Sequence, residues 1–312
     1  MEIFVSTWQP WATARWPQKK SIKEQVDLAL ALGVDAISMK GTNGGIIWGA
    51  KENMSFLYAA NSNDALEKEV KAQGMKVALW CWVDCEYPAP QARAIQEAVA
   101  RWNPITVKLD VEGDKAKANA FNTGAFLRSM GPLKRHDGSR VRVYLQSYRR
   151  PDLHREIAWK SWLTYKDPSG VYYLDGIAPQ AYYAGTQDSV ADYTRMVKAY
   201  RSLERDFGRV FDWHVTLPTY REYGWQPTPE SLLDGIAYLR EELKERLVGL
   251  DYWRLGCLLE EGFKDILVAL MSLDFGDEEP TPESVPEPTP EPKIVDVLTP
   301  PGVEIRVAEK ME

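Results

Sequence analysis

The chain has 312 residues, 45% of them apolar and 27% charged, the mixture of a soluble globular protein with room for a sizeable core. The net charge of −7 is carried by residues 277–312, with ten acids and three bases. Residues 1–276 are therefore neutral, which excludes a polyanion binder built on bulk charge and makes nucleic acid an unexpected partner. No apolar run reaches the roughly 18 residues of a membrane helix, and MEIFVSTWQPW lacks the basic-then-apolar order of a secretion signal.

In chain order, strand-like and helix-like segments alternate up to residue 276. Ile3–Ser6 reads as a strand. Ser21 and Glu24 form a capping box for a helix that Gly33 closes. Ala36–Lys40 is the second strand, Asp64 caps a helix ending at Gly74, and Val77–Trp82 is the third strand. A helix over 89–102 leads to Ile105–Glu112, and another over 115–130 leads to Val141–Gln146. Gly176–Tyr182, a helix over 188–206, and Phe211–Leu217 follow. Thr228-Pro229 then opens a helix, Tyr252–Leu259 is the eighth strand, and 262–273 is helical.

Eight strands with helices between them over about 276 residues match a (β/α)8 TIM-like barrel, an α/β fold. A doubly wound open sheet is the alternative, but no Gly-rich loop follows the first strand. Residues 277–292, with six prolines and six acids, read as a stiff Pro/Glu spacer. The tail 293–312 carries two short β-like runs around Pro300-Pro301-Gly302, a possible β-ribbon whose partner the sequence does not identify.

The chemistry concentrates on the fourth strand. Ile105, Val107, Leu109 and Val111 form an outward apolar set, so Thr106, Lys108, Asp110 and Glu112 point inward, with both carboxylates at the C-terminal end where barrel active sites lie. Residues two apart on one strand face stand roughly 6–7 Å apart. Carboxylates so placed repel, and burial raises at least one pKa. A neutral acid beside an ionised one is the requirement of glycosidic cleavage. The other reading is an ion pair with Lys108 or Lys40 inside the barrel.

Further inward strand ends suit a sugar cleft: Ser38 and Lys40; Trp80, Trp82, Asp84 and Glu86; Tyr144, Gln146 and Tyr148; Gln180 and Tyr182. Trp8 and Trp11 follow the first strand, and Trp8, Trp80 and Trp82 are the better cleft candidates. Trp102, Trp159 and Trp162 read as helix-packing residues. Cys81, Cys85 and Cys257 are too few for a disulfide framework and read as buried thiols. His136, His154 and His214 form no metal-binding spacing and no nucleophile elbow is present, so no metal or other cofactor is expected. A divalent ion on Asp84, Asp110, Glu112 and Asp114 is the weaker alternative.

These residues resemble the family 25 glycoside hydrolases, lysozymes that cleave peptidoglycan between N-acetylmuramic acid and N-acetylglucosamine. The first-strand motif Asp-Val-Ser-x-Trp-Gln is matched by Phe4-Val5-Ser6-Thr7-Trp8-Gln9. Lys-Ala-Thr-Glu-Gly is matched by Lys40-Gly41-Thr42-Asn43-Gly44. Gly74-Met75-Lys76-Val77 with Trp80 and Trp82, the fourth-strand Asp110-Val111-Glu112, and Gln180-Ala181-Tyr182 follow in order, covering residues 3–185. The resemblance implies a retaining hydrolase of β-1,4 bonds in an N-acetylated glycan, peptidoglycan first, needing no cofactor. Glu112 would be the general acid/base, Asp110 would stabilise the intermediate, and Tyr182 would place the N-acetyl group. Phe4 and Asn43 stand where the family has acids, and no last-strand Asp is evident, Glu260 and Glu261 being nearest. The Asp-x-Glu with a sixth-strand Tyr also resembles family 18 chitinases, with Thr106 and Lys108 departing from the fuller motif. A non-catalytic glycan-binding or virion-type structural barrel is the alternative function. A wall-degrading enzyme without a leader would suit a phage endolysin, made in the cytoplasm and released by another protein.

Overall fold

The computed structural model describes residues 1–7, 20–54, 60–112, 120–183, 185–221 and 224–273. The expected spacer and tail, 277–312, lie outside them. Eight parallel strands form the centre: β1 (Glu2–Thr7), β2 (Ala36–Asn43), β3 (Lys76–Trp82), β4 (Thr106–Asp110), β5 (Arg142–Tyr148), β6 (Gly176–Gln180), β7 (Asp212–Pro218) and β8 (Leu247–Trp253). Each pairs with the next, and β8 returns to β1 through Glu2↔Gly249 to Ser6↔Trp253, closing the barrel. Ile46–Ile47 folds back antiparallel on the end of β2. The strands are buried on both faces, one against helices and one against the barrel interior.

The helices outside are α1 (Ile22–Ala31), α2 (Asn63–Ala72), α3 (Pro88–Trp102), α4 (Ala120–Met130), α5 (Trp159–Thr164), α6 (Ser189–Phe207), α7 (Pro229–Leu243), α8 (Leu255–Leu258) and α9 (Lys264–Met271). The capping boxes at Ser21/Glu24 and Thr228/Ser231 start α1 and α7, satisfying amides that a helix leaves open at its first turn. Trp102, Trp159 and Trp162 are buried packing residues. All three cysteines are buried free thiols, and burial pushes Cys81 up to about 12. No helix among the described residues is long and apolar enough to cross a membrane.

Two expectations need correction. The cap of α2 is Ser62, not Asp64, with its hydroxyl accepting from the Ala65 amide at 3.3 Å. Asp64 instead accepts from the Lys51 amide (2.7 Å), the Trp102 indole (2.9 Å) and Arg101 (2.6 Å), tying α2 to α3. The eighth strand is Leu247–Trp253, five residues earlier than Tyr252–Leu259, and 255–258 is a helical turn. Asp251, a charge in mid-strand, hides the strand from an apolar-run reading. Its carboxylate faces a cation that only barrel closure supplies.

The interior is layered. At the floor, Phe4 packs on Ala36 and Ala78, and its ring lies 4.5 Å from the His214 imidazole, with Tyr144 at 5.5 Å. Burial, with Lys108 nearby, holds His214 well below its usual pKa, so it is a neutral core ring. Gly249 is required beside it, since a Cβ there would stand 2.5 Å from the imidazole. Above the floor, Lys108 is paired with Asp251, both fully buried. The Ser6 hydroxyl donates to the same carboxylate at 2.7 Å.

Candidate active site

The layer above is the mouth of the barrel. Strand register sets Lys40 beside Trp80, Trp82 beside Asp110, Asp110 beside Gln146, and Tyr148 beside Gln180. Asp110, Glu112, Lys40, Trp80, Trp82, Gln146, Tyr148, Gln180 and Tyr182 all line one cavity of about 770 Å³. This is the C-terminal face, where the loops after each strand can build a site without disturbing the barrel core.

Asp84 does not line it. β3 stops at Trp82, so the inward alternation ends there. Asp84 is buried, accepting from the Glu86 amide at 2.8 Å and from Gln91, and it braces the turn into α3, where Cys85 has φ +57°. Ser38 and Tyr144 are buried but do not reach the cavity. Trp8, Trp11 and Asp114 lie outside the described residues. Among the described residues, no three His, Cys, Asp or Glu side chains converge as a metal site.

The two carboxylates differ in setting. Asp110 is 5% exposed and accepts from the Gln180 amide at 2.9 Å. Glu112 is half-buried and bonded to the same amide. Burial, then the charge of Glu112, pushes Asp110 well above the usual carboxylate range against the pull of Lys40 and Gln180. Burial likewise raises Glu112. Lys108 does not neutralise them, because its ammonium is committed to Asp251. Among the described residues no cation makes an ion pair with either acid. Lys40 acts on Asp110 from a distance, with its ammonium between Trp48 (4.7 Å to the ring centre) and Trp80 (4.9 Å).

Aromatic side chains wall the cavity. Trp80 donates its indole N–H to the Thr7 carbonyl at 3.2 Å and meets Trp253 edge-on at 5.2 Å. Tyr182 meets Tyr220 edge-on at 5.2 Å, and Tyr148 stacks on His154 at 3.6 Å. Burial, then Tyr220 and the nearby acids, raises the Tyr182 hydroxyl well above its usual pKa, so it stays a neutral hydrogen-bond donor. The array offers a proton on a buried carboxyl pair, fixed donors, and flat apolar faces that fit pyranose rings.

Among the described residues, Trp253, Arg254, Tyr220, Arg221, Arg149, Arg150, Leu153 and His154 also line the cavity, and none of them stood out in the sequence. Placing the eighth strand correctly would have revealed Trp253 at its C-terminal end. The others follow β5, β7 and β8 in loops, where no alternation marks a direction. The last-strand acid absent from the sequence reading is Asp251, spent on Lys108. Of the two departures from the lysozyme pattern, Phe4 fills the floor and Asn43 lines the cavity.

No protein-family sequence model matches the chain, and no curated protein sequence does. Solved structures do. A chitinase from Rhizomucor miehei is 12% identical, over 87% of this chain and 99% of that one, with a TM-score of 0.52. A GH18 chitinase from Pseudoalteromonas aurantia is 13% identical over 86% and 100%, with a TM-score of 0.53. The PgaB (BpsB) glycoside hydrolase domain from Bordetella bronchiseptica is 12% identical over 88% and 99%, with a TM-score of 0.51. At these identities the likeness is one of fold, and it agrees with the closed parallel barrel.

Proposed function

We propose that this chain is a retaining glycoside hydrolase acting on a β-1,4-linked, N-acetylated glycan, either peptidoglycan or a chitin-like polymer. The observation that carries the proposal is the Asp110/Glu112 pair, buried at the barrel mouth among aromatic walls and, among the described residues, without an ion-pair partner while Lys108 serves Asp251. The barrels it resembles, two of them named as chitinases, support the same reaction class.

Burial favours one proton on the pair, and in the reactive form Glu112, the less buried member, carries it and delivers it to the leaving glycosidic oxygen while Asp110 is ionised. As the C1–O bond breaks, the carbonyl oxygen of the substrate's N-acetyl group bonds to C1. Ionised Asp110 holds that group's N–H and offsets the positive charge, with Tyr182 orienting the carbonyl. Glu112 then takes a proton from the water that reopens the ring, so the anomeric configuration is retained.

The test is reducing-end release from purified peptidoglycan and from chitin oligomers, with Glu112→Gln alongside. Release by the unsubstituted protein alone supports the assignment, and the preferred polymer identifies the substrate. A peptidoglycan result would go with a wall-degrading, endolysin-type role. The second reading, a barrel that binds glycan without cleaving it, draws on Asn43 in the cavity and Phe4 at the floor. It predicts saturable binding and no release.

A further inference from the structure

A second concavity, of about 1010 Å³, lies on the outer side of the barrel between the 150–158 loop, the start of α5 and one face of α6. Its floor is apolar, from Pro151, Ile157, Trp159, Leu203 and Phe207. Its walls carry six cations, Arg150, Arg155, Lys160, Arg195, Lys198 and Arg205, against the carboxylates of Asp152 and Asp206. On α6 the basic positions 195, 198 and 205 fall on one exposed face, opposite the buried Tyr193, Met196, Val197 and Tyr200.

Pairing leaves much of this charge open. Arg150 is held by Asp152 at 2.6 Å and Arg195 by Asp192 at 2.9 Å. Among the described residues, Lys160, Lys198 and Arg205 have no ion pair. The body of the chain is neutral in composition, so this groove is a place where the fold sorts cations together. Arg150 lines both this groove and the barrel-mouth cavity, which makes the 149–155 loop a shared wall.

We propose that the groove binds a carboxylate-bearing polysaccharide, as the continuation of a glycan strand leaving the barrel mouth. The continuation rests on the glycan reading of the cleft. The apolar floor suits the faces of sugar rings, and guanidinium forks on the walls suit carboxylates. The volume is that of a site for several rings. A neutral glycan leaves the cations unused, and a cationic one is repelled.

The experiment is isothermal titration of the Glu112→Gln protein with a hyaluronan dodecamer, an N-acetylated glycan bearing carboxylates, and with chitohexaose. Lys198→Glu/Arg205→Glu, added to that background, is expected to weaken hyaluronan binding about tenfold or more, with chitohexaose affinity unchanged. Affinity for hyaluronan is expected to fall as salt rises. Arg155→Glu/Lys160→Glu repeats the test on the facing wall. No hyaluronan binding by the parent, or unchanged binding in both double variants, overturns the proposal. Tighter binding of duplex DNA through the same residues also overturns it, assigning the groove to nucleic acid. Chitohexaose hydrolysis by the unsubstituted protein reports on the cleft alone, so failure there is distinct from failure of the groove.

Discussion

Two charged layers share the barrel interior, one inward step apart on β4, and they are built on opposite terms. In the lower layer, Lys108 meets Asp251 and Ser6, so cation, anion and hydroxyl close on one another away from water. In the upper layer, Asp110 and Glu112 repel, sharing the Gln180 amide and the distant charge of Lys40. The contrast shows how a barrel can pair Lys108 with Asp251 and leave two further carboxylates, among the described residues, without a salt bridge. Asp251 takes Lys108, and burial favours a proton on the upper pair.

The largest expected effect is on the lower layer. Lys108→Ala leaves Asp251 buried without its cation and should lower the unfolding free energy by about 3–5 kcal/mol, read by urea denaturation. The double replacement Lys108→Met/Asp251→Leu should recover most of that loss, since apolar side chains of similar volume need no partner. A single variant as stable as the parent would show that the two charges do not depend on each other.

The upper layer should respond in the opposite way. Glu112→Gln is expected to reduce turnover about 10²–10⁴-fold, with stability unchanged or slightly higher because one of two repelling carboxylates is gone. Reducing-end assays and urea titration on the same samples separate the two effects. A variant that lost stability as Lys108→Ala does would place Glu112 with the structural layer.

The pH dependence sharpens the contrast further. Burial raises Asp110 and Glu112 above the ordinary carboxylate range of about 4. Between that value and the raised folded pKa, the native protein holds a proton that the unfolded chain has released. Stability contributed by the pair is therefore highest in acid and falls as pH rises through that window. Asp110→Asn should flatten this slope in urea midpoints measured across pH, and parallel curves would contradict the assignment. Activity should fall on the alkaline side as the pair loses its proton. The smallest effect is Ser6→Ala, which removes one hydrogen bond to the Asp251 carboxylate and should cost about 1.5 kcal/mol with turnover unchanged.

Much of this architecture was legible before folding. Seven of eight strands, the capping box at Ser21, the Thr228-Pro229 helix start, and the Asp-x-Glu at the end of β4 follow from alternation and local hydrogen-bonding chemistry. The exceptions have physical causes. Asp251 interrupts β8 with a charge whose partner lies 143 residues away. Asp84 continues an inward pattern that its strand no longer supports. The loop arginines around the mouth and the outer groove carry no periodicity.

Residue order alone thus determined which segments are strands and helices, and that two carboxylates share one inward face, because these depend on neighbours a few positions apart. Only closure of the barrel decided which acid Lys108 would neutralise. Lys40, Lys108, Asp110, Glu112 and Asp251 lie on the inner faces of β2, β4 and β8 or just beyond them, with Arg254 following β8 at the cavity wall, and many pairings satisfy a linear reading. The cross-barrel geometry admits one: Lys108 with Asp251, leaving Asp110 and Glu112 to each other.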